Sequence, residues 1–363
     1  MTRARRRWVW AGVVVLAVGA LAGLAGCGTV GYLTQSVRGH FAILQEARPV
    51  PQWLSDTATP QQLRERLELS QRIRDFATRE LKLPDNGSYR RYADLKRPAA
   101  VWNVVAAPAL GLQLKTWCFP VVGCVGYRGY FDRDGAVAQA KALQAEGYEV
   151  MVYGVPAYSS LGWFDDPLLN TFIQYPEGEL ARMIFHELAH QVAYASGDTT
   201  FNESFATAVE RLGIERWMAL HASPAAKEEY AAYDARRQDF RALTMRYRDR
   251  LQAVYASALP EEEKRRLKEE TFAQMRAEYG RIKAERWGGY SGYDGWFERA
   301  NNASLGVISA YNELVPAFER LFVAEGRDFD RFYEAVKRLA KAPKEERRAA
   351  LTLPSVASAN EGR

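Results

Sequence analysis

Leu180 to Val192 reads LARMIFHELAHQV, and this stretch decides how the rest of the chain is read. Leu180, Met183, Ile184, Leu188 and Val192 recur at helical spacing, so the segment predicts an amphipathic helix. Within it, His186-Glu187-Leu188-Ala189-His190 has the H-E-x-x-H pattern. Positions i and i+4 lie one turn apart on one helix face, so both imidazoles can reach a single metal ion. Glu187 then stands beside that ion, placed to take a proton from a bound water. Ala195-Ser196-Gly197 closes the stretch, with Gly as the C-terminal stop.

Two histidines need a third ligand. Glu203, thirteen residues beyond His190 in Asn202-Glu203-Ser204-Phe205-Ala206, is the candidate. Thr199 or Thr200 can cap a second helix that runs to about Leu212 and stops at Gly213. A helix–turn–helix of this length can return Glu203 to the histidine pair. Two His and one carboxylate leave a fourth tetrahedral position open for water, as a catalytic Zn2+ requires. A structural zinc would usually close that position with another Cys or His.

The chain has 363 residues, 48% hydrophobic and 26% charged, enough for a sizeable core. Its N-terminus differs in character. Arginines at 3, 5, 6 and 7 precede an apolar run from Trp8 to about Ala25, the n-region and h-region of a secretory signal. Leu24-Ala25-Gly26-Cys27 resembles the lipobox of bacterial lipoproteins, in which Cys27 becomes the lipidated first residue of the mature chain. The alternative is an uncleaved anchor with a chance cysteine. Gly28 follows the cysteine, so in a Gram-negative organism the expected address is the periplasmic face of the outer membrane. Residues 1–26 carry four of the positive charges and no negative ones, so the formal charge falls from +5 to +1 without them. The basic balance thus belongs to the targeting segment and does not argue for nucleic acid.

Cys118 and Cys124, in TWCFPVVGCVGYRGYF, are spaced for a small disulfide-closed loop in an oxidising compartment. Two free buried thiols or a second metal site are the alternatives, and no His lies near to support the latter. Residues 29–46 read as a helix with Leu33, Val37, Phe41 and Leu44 on one side; His40 on it reads as a surface or packing residue. Thr59-Pro60 opens a helix that extends to about Leu81. Strand patterns at 100–107, 112–117, 127–131 and 148–155, with a helix at 136–145, give a small sheet ahead of the metal helix. Residues 225–286 form an antiparallel helical hairpin split at Leu259-Pro260, and by its position it could cover the cleft. Further helices are expected at 301–312 and 329–339. The expected organisation is a signal at 1–26, one zinc-hydrolase domain at 27–345 and a disordered tail at 346–363.

Several segments together, namely YLTQSVRGH, TWCFPVVGCVGYRGYF, AYSSLGWFDDPLL, FHELAHQ, GDTTFNESFATAVE and NNASLGVISAYNELVPAF, resemble a family of bacterial envelope lipoproteins assigned as zinc aminopeptidases. The resemblance covers most of the mature chain. It implies a predominantly helical α+β fold with a gluzincin-like core, Zn2+ on His186, His190 and Glu203, and Glu187 as general base. NESFA is also similar to the NEGFA-type segment of the large metal aminopeptidases, but the spacing from His190 is shorter here, so the connecting elements must be shorter too. Tyr311, in the family-like SLGVISAYNE, is the first candidate to stabilise an oxyanion, ahead of Tyr158, Tyr290 and Tyr293. Asp198 and Glu210 are candidates to brace the ligand imidazoles, the alternative for both being a helix-terminal or solvated carboxylate. Tyr158 and Asn202 are expected in the substrate cleft, with Asp165 and Asp166 as possible anchors for a free α-amine. The expected activity is aminopeptidase cleavage of short peptides. An endopeptidase, a cell-wall amidase, or a non-catalytic lipoprotein with a structural metal are the competing readings.

Overall fold

A computed structural model describes residues 27–119 and 123–352; residues 1–26, where a signal is expected, and those from 353 on lie outside the described residues. Thirteen helices and eight short strands are found among them. They are α1 (Cys27–Glu46), β1 (Arg48–Pro49), α2 (Val50–Ser55), α3 (Gln61–Arg79), β2 (Arg91–Ala93), β3 (Val101–Pro108), β4 (Trp117–Phe119), β5 (Gly123–Val125), β6 (Arg128–Tyr130), α4 (Arg133–Ala145), β7 (Tyr148–Val155) and β8 (Leu168–Leu169), followed by helices only. Those are α5 (Glu177–Ala189), α6 (Thr199–Leu220), α7 (Pro224–Ala256), α8 (Glu261–Glu285), α9 (Asp294–Arg299), α10 (Asn302–Asn312), α11 (Val315–Ala324), α12 (Phe329–Lys341) and α13 (Lys344–Thr352). The architecture is mostly helical with small sheets, in line with the α+β expectation.

The sheet that matters for the site is antiparallel, in the order β6-β3-β7, with Asn103 opposite Gly129 on one side and Tyr153 on the other. β3 is buried on both faces because successive side chains point to opposite sides. Val104 and Ala106 pack on Ala136, Ala140 and Leu143 of α4. Val105 and Ala107 pack towards Ala303 of α10. The strand expected at 112–117 does not form: residues 112–116 are irregular, and the pairing begins at Trp117, where Trp117–Phe119 pairs with β5 in the register that places Cys118 opposite Cys124. These two cysteines form a disulfide.

α5 begins after Pro176, with Glu177 and Glu179 in its first turn, where carboxylates suit the positive end of the helix dipole. Leu180, Ile184 and Leu188 are fully buried in the core that α5 shares with α3 and α6. The following helix departs from expectation at both ends. Its cap is Asp198, which accepts a hydrogen bond from the Phe201 amide, and not Thr199 or Thr200. It also runs through Gly213 to Leu220. A Cβ at Gly213 would come 2.8 Å from Phe185 and 2.7 Å from Leu81, so this glycine serves close helix packing and not termination. Likewise Thr59 does not cap α3; Pro60 does, and the Thr59 hydroxyl donates to the Trp53 carbonyl at 2.7 Å.

The hairpin is formed by α7 and α8 and has its own core of Phe240, Leu243, Tyr247, Phe272 and Met275. It backs α5 and does not cover the cleft. Arg237 reaches Glu179 at 2.8 Å from behind the metal helix, and no residue of 224–285 lines the cleft described below. Tyr293 stacks on Phe240 of this core and Tyr290 lies under Arg236, which removes both from the oxyanion candidates.

Of the tail expected to be disordered from residue 346, the part up to Thr352 belongs to α13, and the rest lies outside the described residues. α13 buries Leu351 and Arg347, and Arg347 pairs with Asp198 at 2.6 Å while donating from Nε to the Leu339 carbonyl at 3.1 Å. An arginine, with its apolar stem and planar donor fork, is buried only where such partners meet it.

Candidate metal centre and cleft

The turn between α5 and α6 is short and heavily braced. Gly197 takes φ +77°, a conformation open to glycine. The Asn202 side chain accepts from the Ala195 amide at 2.7 Å and donates to the Ala195 carbonyl at 2.9 Å. Asn202 therefore does not face the cleft; it clamps the turn one residue before Glu203.

This turn brings three side chains to one point. His186 Nε2 and His190 Nε2 are 3.2 Å apart, and Glu203 Oε2 lies 3.4 Å from the first and 3.6 Å from the second. Among the described residues they are the one group of this kind able to hold a metal ion. Donor atoms bound at about 2.0–2.1 Å around a tetrahedral ion stand roughly 3.3 Å from one another, and the three separations match that edge. His190 and Glu203 are buried, and His186 is 9% exposed. Burial alone would raise the Glu203 carboxyl, but His190 and His186 outweigh it and hold the group at about 2. Glu203 is thus a carboxylate across the physiological range, as a ligand must be.

Behind His186, Glu210 Oε2 accepts from Nδ1 at 3.0 Å, leaving the Nε2 lone pair for the centre. Burial would raise the Glu210 carboxyl, but Arg182, which contacts it, and His186 hold it below its ordinary value. Glu210 lies seven residues after Glu203 on α6, so one helix face supplies both. Asp198 is different: it caps α6 and pairs with Arg347, and its carboxylate does not brace a ligand imidazole. His190 Nδ1 has no hydrogen-bond partner among the described residues. We expect Glu210→Ala to weaken metal binding by about 10–100-fold, read by competition with a chromophoric chelator. An unchanged dissociation constant would show that Glu210 serves Arg182 alone.

A cleft of about 470 Å³ opens onto this group, lined also by Glu187, Tyr127, Tyr194 and Tyr311. The Glu187 carboxyl is raised by burial, an effect opposed by His186 and His190 and reinforced by Glu203 and Glu210; a raised carboxyl is a better proton acceptor near neutral pH. Tyr311, on α10, stacks over His186 with ring centroids 6.3 Å apart and planes at 14°. Burial pushes both Tyr311 and Tyr127 well above the ordinary phenol value, with Glu203 adding to it, so both are neutral hydrogen-bond donors. Tyr158 lines the outer cleft. Asp166 is buried, accepts from the Ser160 amide at 2.9 Å and is raised by burial to about 7; it supports the Ser159–Leu161 rim and is not a lining residue. Asp165 is exposed. A larger hollow of about 890 Å³ beside Trp102 and Arg133 contains none of these groups.

Sequence reading missed Tyr127 and Tyr194, together with Asn103 and Val101 of β3 and Tyr32, Leu33 and Ser36 of α1, all of which line the cleft. Tyr127 sits just before β6 and Tyr194 in the turn after His190, places where an isolated tyrosine carries no distinguishing pattern. α1 was legible as a helix but not as a cleft wall.

No curated protein and no solved structure matches the chain. A family model does, over residues 31–351, and it takes in the HELAH helix, Glu203, Glu210 and Tyr311. The chain belongs to the family described as "Putative aminopeptidase".

Proposed function

We propose that the protein is a zinc-dependent aminopeptidase of the cell envelope with a gluzincin-like site. The observation that carries this reading is the convergence of His186 Nε2, His190 Nε2 and Glu203 Oε2 at tetrahedral-edge distances on the floor of a cleft that also holds Glu187. His186, His190 and Glu203 would hold the ion. Zinc, when bound, lowers the pKa of its water towards neutrality and polarises a scissile carbonyl.

The chain's own residues supply the rest. Glu187 accepts the proton of the attacking water and returns it to the leaving amine. Tyr311, neutral and stacked on His186, donates to the developing oxyanion. Asn202 and Asp198 hold the turn and the start of α6, and so fix where Glu203 points. Glu210 sets the His186 tautomer. Tyr158 contacts substrate further out. The signal pattern at 1–26 and the lipobox-like Leu24–Cys27 support export and anchoring through lipid on Cys27, at the periplasmic face of the outer membrane in a Gram-negative cell.

Zinc stoichiometry combined with hydrolysis of a peptide library bearing free and blocked N-termini tests the reading. One zinc per chain and cleavage of free N-termini are expected; cleavage of blocked peptides alone would make the protein an endopeptidase or amidase. In the same assay Tyr311→Phe should lower kcat on the order of 100-fold with KM nearly unchanged. A kcat equal to wild type would remove Tyr311 from the mechanism.

A further inference from the structure

Of the eight large apolar side chains that stand exposed among the described residues, five are Leu33, Val37, Phe41, Trp163 and Phe164. Three lie at i, i+4 and i+8 on α1 and form one stripe about 12 Å long. The other two sit on the loop after β7, and the Phe164 ring lies 4.5 Å from His40 and 6.1 Å from Phe41. Helix stripe and loop therefore make one continuous surface. Its exposure is pronounced: Val37 is 56% exposed and Trp163 73%. Soluble surfaces rarely gather large apolar groups this way unless something covers them.

What lies beside the patch on the chain identifies the cover. α1 begins at Cys27, the residue placed in the lipobox pattern, and it is preceded by the charge-free apolar run from Trp8 to Ala25. We infer that the Leu33–Val37–Phe41–Trp163–Phe164 face lies on a lipid bilayer, with α1 flat on the headgroups and the mouth of the cleft at the membrane surface. This inference rests on the anchoring proposed above. A tryptophan with an apolar body and a polar N–H suits the headgroup level, and Arg38, exposed on α1, can extend its charge to the headgroups from an apolar stem. Asp165, exposed beside Phe164, marks the limit to which that edge can sink. Leu33 belongs to both the patch and the cleft lining, and Leu161 and Ser159 line the cleft two to four residues before Trp163. The patch thus borders the cleft from two sides, and membrane contact would set the height at which peptides enter it.

The test uses the full chain, processed in a bacterium and reconstituted into phosphatidylcholine vesicles. Single cysteines replace Val37, Trp163 and, as a control on the exposed start of α8, Glu262; each is labelled with an environment-sensitive fluorophore. The expected result is blue-shifted emission at 37 and 163, quenched several-fold more strongly by a lipid-borne nitroxide than the label at 262. Labels at 37 and 163 as wet as that at 262 overturn the inference. So do labels that are shielded but not quenched from the lipid, because a second copy of the chain would then cover the face. Flotation and the mass of the Cys27 peptide separate the two levels. A chain that carries lipid on Cys27 and floats with wet labels loses only the docking face, whereas an unlipidated chain that stays off the vesicles loses the anchor as well.

Discussion

Replacing Glu187 with Gln leaves metal binding intact and lowers turnover by about 10²–10⁴. The substitution keeps the size of the side chain and its place in the cleft, and Glu187 is not among the three groups that converge on the metal point. What it removes is the ability to accept a proton from water. The present side chain is suited to that task because burial raises its carboxyl against the pull of His186 and His190. Metal analysis of the purified variant should match wild type, while steady-state hydrolysis falls to near the background. Wild-type turnover with a full metal complement would remove Glu187 from the chemistry, and loss of the metal would reassign it as a ligand.

The second large effect concerns stability. Arg347→Ala should cost about 3–5 kcal/mol, because removing one member of a buried pair strands the other. Asp198 is 2% exposed; Arg347 approaches it at 2.6 Å and Arg348 only at 3.6 Å. The Arg347 guanidinium also donates to the carbonyls of Leu339 and Ala342 and lies 4.9 Å from the Phe201 ring, so α13 loses its hold on the start of α6. Calorimetry should show a melting temperature lower by roughly 5–10 °C. The double variant Asp198→Asn with Arg347→Ala should recover part of it, since Asn still caps a helix and carries no charge. A melting curve for Arg347→Ala that overlays wild type would mean that α13 does not dock.

Both effects bear on what could be read before the structure. The HELAH helix and Glu203 were legible because a metal site with two ligands on one turn leaves a fixed spacing, and Glu210 was legible because it shares a helical face with Glu203. Asn202 was misread, and Asp198 took its alternative reading as a helix-terminal carboxylate, for a related reason. Polar residues flanking a carboxylate ligand look alike in sequence whether they touch metal ligands, substrate or backbone, and here both spend their hydrogen bonds on the turn. Of the cleft walls Tyr158 and Tyr311 were legible, but Tyr127, Tyr194 and Leu33 were not, since they come from separate elements that meet only through tertiary packing. α13 escaped because its two buried positions are a leucine and an arginine, and an arginine reads as solvated until its partner is known.

Gly213 gives the metal site a mechanical stop. It lies ten residues beyond Glu203, where α6 crosses α5, and the ring that would meet an added methyl there belongs to Phe185, the residue before the first histidine. The absence of one carbon atom lets the two helices close to the distance at which Glu203 meets His186 and His190. The spacing of the three candidate ligands is therefore gauged nearly three turns away, by a residue that never faces the cleft.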